Sequence, residues 1–539
     1  MKAKRILSLL LAVVMVFSLA ACGGGNDSSK GTDKKDTGKE TTAPGDTTAT
    51  KGADSTEAGS TEGGETTAAA GNSAIDFDEE PYTLHICYAV AGEAQPDMAM
   101  IQEKMNEITL KEINAKVELE AVSLFSIANV YALKASSQEK MDLMVLFPGS
   151  NYLVNFANSN LLIPIEEYVD QWGSDLKEVL GDTLKVGQFN GHQYAIPQNG
   201  GIGKMATGFN LSKDLCQKYN INPEDVKTLE DLEAAFETIK ANEPDVTVLM
   251  PETAGGGIVY SLLDYYDACG VGGGILEVKD GKLSIINQLD TEEYMDACKK
   301  VREWYEKGYI SKDVLTSQDG GSDAIKAGKC FASAVASIGV AKGDDYMTPV
   351  IIHESKPLVT TSDSQLVMWG VASNCERPDK AIQFLNLCCS SAELTNLFKW
   401  GVEGVHYEVL GNGAIDNSMG SAWLNYWWML GDYFKGLTPK SDLESTGLSS
   451  SDEFKAAEAN WEEEYSPAYG FNFDSAPVKT QVAACDAINN QYQIAIACGT
   501  VDPEEELPKY SKALQDAGLS EVMAEKERQL NEWYASQGK

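Results

Sequence analysis

The sequence predicts an α/β protein built as two large lobes with a helical C-terminal region. From Tyr82 onward short β-rich runs alternate with helical ones, the pattern of sheets covered by helices. The ordered part, roughly Ile75 to Lys539, is too long for one hydrophobic core and calls for two. The last hundred residues are mostly helical in pattern, which sets them apart from the alternation before them.

The chain starts with Lys2, Lys4 and Arg5, followed by Ile6 to Leu19, which is apolar except for Ser8 and Ser18. That length suits the apolar part of a secretory signal and falls short of the ~20 residues that span a bilayer. Leu19-Ala20-Ala21-Cys22 resembles the lipobox of bacterial lipoproteins. The resemblance implies removal of residues 1–21, a diacylglycerol on the Cys22 thiol, and anchoring at the extracellular face of the cell membrane, on a Gram-positive surface. Residues 23 to 73 contain no aromatic residue and no Ile, Leu, Val or Met. Such a segment buries too little apolar surface to offset chain entropy and is expected to be a disordered tether, with a reach of about 40 Å as a flexible coil.

The body then reads element by element. "YTLHICYAV" is a strand, "PDMAMIQEKMNEITLKEI" a helix, "AKVELEAVS" a strand, "FSIANVYALKASSQ" a helix and "MDLMVLF" a strand. A parallel sheet is expected, with ligand bound where its strands end in loops. Those loops are Ala91 to Gln95 and Pro148 to Leu153. A second α/β unit starts near "MATGFNLSKDL", with a helix from Thr228 to Ala241, the strand "VTVLM", and a helix through "IVYSLLDYYDA". "AIKAGKCFASAVA" is a helix end, a glycine and a strand, and "VMWGVAS" (367–373) is another strand. A helix pair follows, with Ser390 and Glu393 as a capping box and Gly401 ending the second helix. Asp502-Pro503-Glu504 is a helix start and Gly518 a helix end.

The formal charge of −38 becomes −41 once the three basic residues of the signal are gone. So acidic a chain is repelled by nucleic acid and by anionic membrane surfaces, so the lipid must supply the membrane contact. Ten cysteines remain after Cys22, at 87, 216, 269, 298, 330, 375, 388, 389, 485 and 498. None forms a C-x-x-C pair, and with four histidines no zinc spacing arises, so no metal or cofactor is expected. Their dispersal through apolar segments favours buried free thiols. Catalytic motifs fail on inspection: "GIGKM" has Met205 where a P-loop needs Ser or Thr, "HESKP" has Pro357 where a zinc protease needs its second His, and no G-x-S-x-G occurs.

The order of segments resembles the extracellular solute-binding proteins of carbohydrate ABC importers. "GQFNGHQYAIPQN" is similar to the Gly-x-x-Tyr-x-x-Pro turn before the first lobe crossing, and "GFNLSKDLCQKYNI" to the entry into the second lobe. "RPDKAIQFLNLCCSSAELTNLFKWGVEGVHYEV" resembles a helix pair ending in a Gly-x-x-Gly-x-x-Tyr run, and the C-terminal segments resemble an uncharacterised domain of a lipoprotein branch. The resemblance implies a two-lobe, type II periplasmic-binding-protein-like fold: lobe one at 75–203 and 366–417, lobe two at 204–365 and 418–539. It also implies a monomeric receptor, not an enzyme, that passes a sugar or oligosaccharide to permease subunits in the membrane. Capture of a peptide or a modified sugar is the alternative, and a surface glycoside hydrolase a more distant one. A sugar site needs aromatic faces with nearby carboxylates and amides. The candidates are Trp369 at a lobe crossing, Trp400 and Glu403 in a loop of the first lobe, and Trp427 and Trp428 within "AWLNYWWMLGDYF". Polar candidates at cleft-facing loops are Glu93, Ser150, Asn151, Gln198, Glu252 and Thr253.

Overall fold

The computed structural model describes residues 75–147, 152–199, 206–338, 346–352, 358–419, 422–423, 431–432, 435–459 and 464–538. The signal, Cys22, the linker, Ser150, Asn151, Trp427 and Trp428 lie outside them. Two mixed sheets organise the body.

In the first sheet, β1 (Tyr82–Val90) and β2 (Ala115–Ser123) pair in parallel along their whole length, from Tyr82 opposite Ala115 to Val90 opposite Ser123. β1 is buried over most of its length because helices cover both faces, whereas β2 alternates buried and outward residues, as a sheet edge does. That edge is blunted. The helix Met98–Ile113, which buries Ile101, Met105, Thr109 and Ile113 on one face, sends Asn106 to the backbone of Val117 and Gln102 to the N–H of Leu119. β3 (Leu143–Leu146) continues the parallel set. The hairpin of β4 (Gln188–Phe189) and β5 (His192–Gln193) turns at Asn190 and Gly191, both with positive φ, and leads into β6 (Ala195–Pro197).

The second sheet holds β7 (Ala206–Ser212), β8 (Thr247–Pro251), β11 (Cys330–Ile338) and β12 (Met347–Val350), in the order β12-β7-β11-β8. Only β8 and β11 pair in parallel, and β7 runs against the other three strands. Between them in sequence, β9 (Ile275–Lys279) and β10 (Lys282–Ile286) form a separate hairpin around Asp280 and Gly281. The helix Leu229–Asn242 starts at a capping box of Thr228 and Asp231 and buries Leu232, Ala235, Phe236 and Ile239. Phe236 meets the rings of Trp304, Tyr309 and Phe331 edge to face, with centroids 5.5, 5.6 and 6.3 Å away.

Past β13 (Leu358–Val359) the chain returns to the first sheet as β14 (Met368–Val371), which runs antiparallel to both β3 and β6. The parallel sheet expected from the sequence is therefore mixed, and so is the second sheet: strands entering from the other lobe arrive in the opposite sense. The helix expected through 258–268 is a single 3₁₀ turn at Val259–Leu262. Tertiary partners take its polar groups instead: the Leu263 carbonyl accepts from Thr207, Tyr265 donates to Asp363, and Asp267 accepts from Ser466. The second cap of the helix pair Pro378–Ser390 and Ala392–Trp400 is Ser391, whose hydroxyl accepts from Leu394 N–H; Ser390 bonds back into its own helix. Gly401 ends the pair with φ 85°, and Asp502 caps the helix Pro503–Ala517, which closes on Gly518 at φ 100°.

A small sheet of β15 (Glu408–Val409), β16 (Ala414–Asp416) and β17 (Thr438–Pro439) ties residues expected in the second lobe to the 408–416 segment. The last strand, β18 (Glu464–Tyr465), pairs with β13. Of the large cores, one gathers residues between 84 and 196 with 367–398 and Trp423, and another gathers residues between 209 and 350 with the C-terminal helices from 485 to 519. The ten cysteines after Cys22 are all free, and nine are buried. Among the described residues no helix is long and apolar enough to cross a membrane.

Phe236 is fully buried among three aromatic rings, so Phe236→Ala should cost about 3–5 kcal/mol from lost transfer energy and the cavity left. Chemical denaturation of the second lobe, followed by Trp304 fluorescence, measures it; a loss under about 1 kcal/mol, the scale of a surface change, would place the ring outside the core.

Candidate functional site

The strand directions gather loops and chain crossings at one edge of each sheet. In the first sheet the C-terminal ends of β1, β3 and β6 and the start of β14 share one edge. In the second, the ends of β8 and β11 lie beside the start of β7. β6 ends at Pro197 and β7 begins at Ala206, so the eight residues between them can reach at most about 28 Å at about 3.3–3.6 Å per residue.

Gln198 sits on the first edge, held by its N–H to the Val367 carbonyl at 3.2 Å. Its side chain is 5% exposed, and neither Oε1 nor Nε2 has a hydrogen-bond partner. A buried amide left this way costs on the order of 1–3 kcal/mol per unmet group, so a native structure keeps one only for a reason. Next to it, Asn199 donates from its backbone to the Gly431 carbonyl and from Nδ2 to Asp432 Oδ1 at 2.9 Å, which fixes residues 431–432 beside Gln198.

At the corresponding edge of the second sheet Glu252 follows β8, with its N–H on the Ala334 carbonyl. Burial pushes its carboxyl up to about 8, and Lys326 only partly offsets this, so it is largely protonated at neutral pH. Thr253 follows in a turn closed by Gly256 N–H on its carbonyl. The loop at 320–321 lies so close that a Cβ on Gly320 would stand 2.5 Å from the Glu252 carbonyl oxygen, and one on Gly321 would stand 2.5 Å from Ser333 Cβ. Ser333 Oγ, on β11, is buried without a partner.

The aromatic candidates fall elsewhere. Trp369 is 2% exposed and meets Phe398 edge to face at 6.3 Å, in a group with Tyr88 and Trp423 inside the first core. Trp400 is also buried, with its Nε1 donating to the Leu437 carbonyl and Lys399 Nζ lying 4.7 Å from its ring centre. Both rings pack against protein on the described side. Glu93 and Glu403 are exposed on separate loops that one contact draws together. His406 Nδ1 accepts from the Val402 N–H, so Nε2 carries the proton and donates to Asp97 Oδ2 at 3.1 Å. Asp97 N–H in turn reaches the Ala422 carbonyl.

Gln198 thus stands at the edge of the first sheet and Glu252 and Thr253 at the edge of the second, with Glu93 and Glu403 exposed on loops. The sequence reading missed Asn199, Ser333, Asp97 and His406. Only Asn199, adjacent to a predicted site residue at a crossing, carried any signal of its place. Among the described residues no group of His, Cys, Asp and Glu is arranged to hold a metal ion.

Comparison with known proteins gives this geometry a context. Residues 106–406 match the family described as bacterial extracellular solute-binding protein, and residues 467–535 match a domain of unknown function. A carbohydrate ABC transporter substrate-binding protein of Streptococcus pneumoniae serotype 4 is 24% identical over 462 residues, covering 82% of this chain and 89% of that protein. A crystal structure of the N-glycan transport solute binding protein NgtS from Streptococcus pneumoniae superposes with a TM-score of 0.71 at 20% identity, covering 85% of this chain and 100% of that one. The same protein in complex with Man1GlcNAc gives 0.62 at 21%, covering 84% and 99%. An HMO-binding solute-binding protein from Bifidobacterium longum infantis gives 0.59 at 18%, covering 85% and 100%.

The raised acidity constant of Glu252 has a signed consequence. The folded protein keeps this proton up to about 8 while the unfolded chain releases it near 4.5, so stability is full below 4.5 and falls as pH rises through that window. Glu252→Gln should remove this loss and gain up to a few kcal/mol over the native protein at pH 8, with little difference at pH 4. Melting temperatures of both proteins from pH 4 to 9 test it; parallel curves would show that the carboxyl is solvated.

Proposed function

Since the chain belongs to the bacterial extracellular solute-binding protein family and has its type II two-lobed fold, we propose that it captures an oligosaccharide between its lobes and delivers it to the permease of an ABC importer. The observation that carries this reading is the orphaned amide of Gln198 at the edge where the chain leaves the first sheet. A carboxamide offers a donor and an acceptor together, which matches the paired hydroxyls or acetamido group of a sugar. Glu252, held neutral, and Thr253 supply further donors and acceptors from the opposite wall. Relatives named for carbohydrate and N-glycan transport support the ligand class.

The proposed lobes are 75–203 with 366–417, and 204–365 with the C-terminal region, with 435–459 moved to the first through the β16–β17 pairing. Ligand closes them about the crossing segments. Glu93 and Glu403 form an outer rim, Trp369 and Trp400 brace the first lobe from behind, and Ser150, Asn151, Trp427 and Trp428 are proposed as further ligand contacts. The receptor is monomeric and is held at the extracellular face by a lipid on Cys22.

Replacing Gln198 separates binding from folding. Gln198→Leu removes two unmet polar atoms, so the ligand-free melting point should hold or rise, while glycan affinity drops about 10-fold or more for the lost bonds. Calorimetric titration with glycans found by a thermal-shift screen is the measurement, and an unchanged affinity refutes the site. The anchor is tested by Cys22→Ala, which should move the protein from the membrane fraction into the medium; a variant still bound after a salt wash would contradict lipidation.

A further inference from the structure

The C-terminal region, whose family match carries no assigned role, is fastened to the second lobe at its core. Lys526 of the helix Leu519–Ser536 is fully buried and donates to the carbonyls of Ala268, Gly270 and Gly273 at 2.9, 3.3 and 2.7 Å, with its ammonium 5.4 Å from the Phe473 ring centre. Glu527 accepts from the Ile285 N–H. Val522 and Leu530 share one apolar cluster with Cys269, Leu283, Ile285, Phe471 and Phe473. Asp267, buried beside them, accepts from Ser466 Oγ at 2.5 Å.

From that anchor residues 466–474 run across the returning chain to the first lobe. Ser466 N–H meets the Val359 carbonyl, Thr361 Oγ1 donates to Ala468 and accepts from Gly470 N–H, and Tyr469 Oη lies 2.9 Å from Ser364 Oγ. Asn472 Nδ2 then donates to the first-lobe carbonyls of Val186 and Gln188 at 3.1 and 2.8 Å. Gln365 Nε2 completes the junction, donating to Val186 and to Asn472 Oδ1, both at 2.7 Å. Farther along, Asn158 Nδ2 donates to Asp474 Oδ1 at 3.0 Å. Gly470, at φ 97°, lets the strap pass with room for a Cβ only 3.0 Å from Lys185.

When one lobe rotates against another, a point is displaced in proportion to its distance from the axis. Nine residues that hold both lobes and the connecting chain by direct hydrogen bonds keep those bonds only if they lie at the axis. We propose that residues 466–474 are a strap that sets the hinge axis of the two lobes, with the C-terminal helices as its mount on the second lobe and the Asn472–Gln365–Val186 junction as its hold on the first. This rests on the closure reading above and deepens it: the C-terminal domain restricts the lobes to one rotation.

The test uses the full soluble chain without ligand, so it is independent of whether any glycan is found to bind. Spin labels on unnatural amino acids at the exposed positions Lys111 and Lys512, one on each lobe, report the inter-lobe distance distribution by pulsed dipolar spectroscopy. Asn472→Asp keeps the side-chain shape but loses both donations, and it should broaden the distribution relative to the native chain while the helices keep their melting point. Gln365→Ala and the exposed-side Asn158→Ala should broaden it too, and they serve where Asn472→Asp does not fold. A distribution of native width in every variant that folds overturns the proposal. Failure of the sugar reading shows elsewhere, as the absence of any glycan response in the native protein.

Discussion

The insertion of β14 between β3 and β6 is the constraint on which the rest of the molecule depends. The chain leaves the first sheet at β6, builds the second lobe, and returns to fill a central position in the sheet it left. Until β14 is in place, the first core lacks Val367, Met368, Trp369 and Val371, all buried, and its sheet is split into two pieces. The first lobe is therefore completed by residues some 170 positions after β6, which makes its assembly non-local and couples the folding of both lobes. The same insertion positions Gln198, because the Val367 carbonyl that begins β14 receives its backbone N–H.

Buried charge elsewhere in the body shows how unusual that amide is. Lys380 is buried, and it donates to the Ile113 carbonyl and pairs with Glu79 at 3.1 Å. Lys134 pairs with Glu120 and Glu139, and Lys526 bonds three carbonyls. Taking such groups out of water costs several kcal/mol each, and the fold offsets that with partners in every one of these cases. Among the described residues a few buried polar side-chain atoms go unsatisfied, and Gln198 is the amide with both ends unmet, at the edge where the chain leaves the first sheet, which is why the proposed site is built on it.

Most of the scaffold was legible because long elements carry periodic signals. β1 and β2 match the sequence reading residue for residue, and Thr228, Asp502, Gly401 and Gly518 punctuate helices where their side chains or backbone freedom require it. Apolar content without period misled at 258–268, since a buried irregular segment and a buried helix have similar composition; hydrogen bonds from Thr207 to Leu263 and from Ser466 to Asp267 decide between them, and neither is local. Two-residue strands such as β13 and β18 carry no periodic signal at all. Within the site, Gln198 and Glu252 were legible as loop positions at strand ends. That the amide lacks a partner and that the carboxyl is buried are properties of the packed lobes. Trp369 could not be assigned from "VMWGVAS", where both faces are apolar, and only Phe398, arriving from a helix 29 residues on, shows that its ring lies in the core.

The state of Glu252 bears on how so acidic a chain offers a binding surface. A carboxylate on the cleft wall would add to a formal charge already at −38 and would need a hydration shell that a closing lobe must strip away. Held as the acid by its burial, the same side chain offers one donor and one acceptor and asks for no counter-ion. Gln198 presents the same pair of functions from the edge of the first sheet. In the proposed site both walls present neutral, directional groups, and the proposed closure desolvates hydrogen-bonding atoms that a ligand can replace instead of a charge that it cannot.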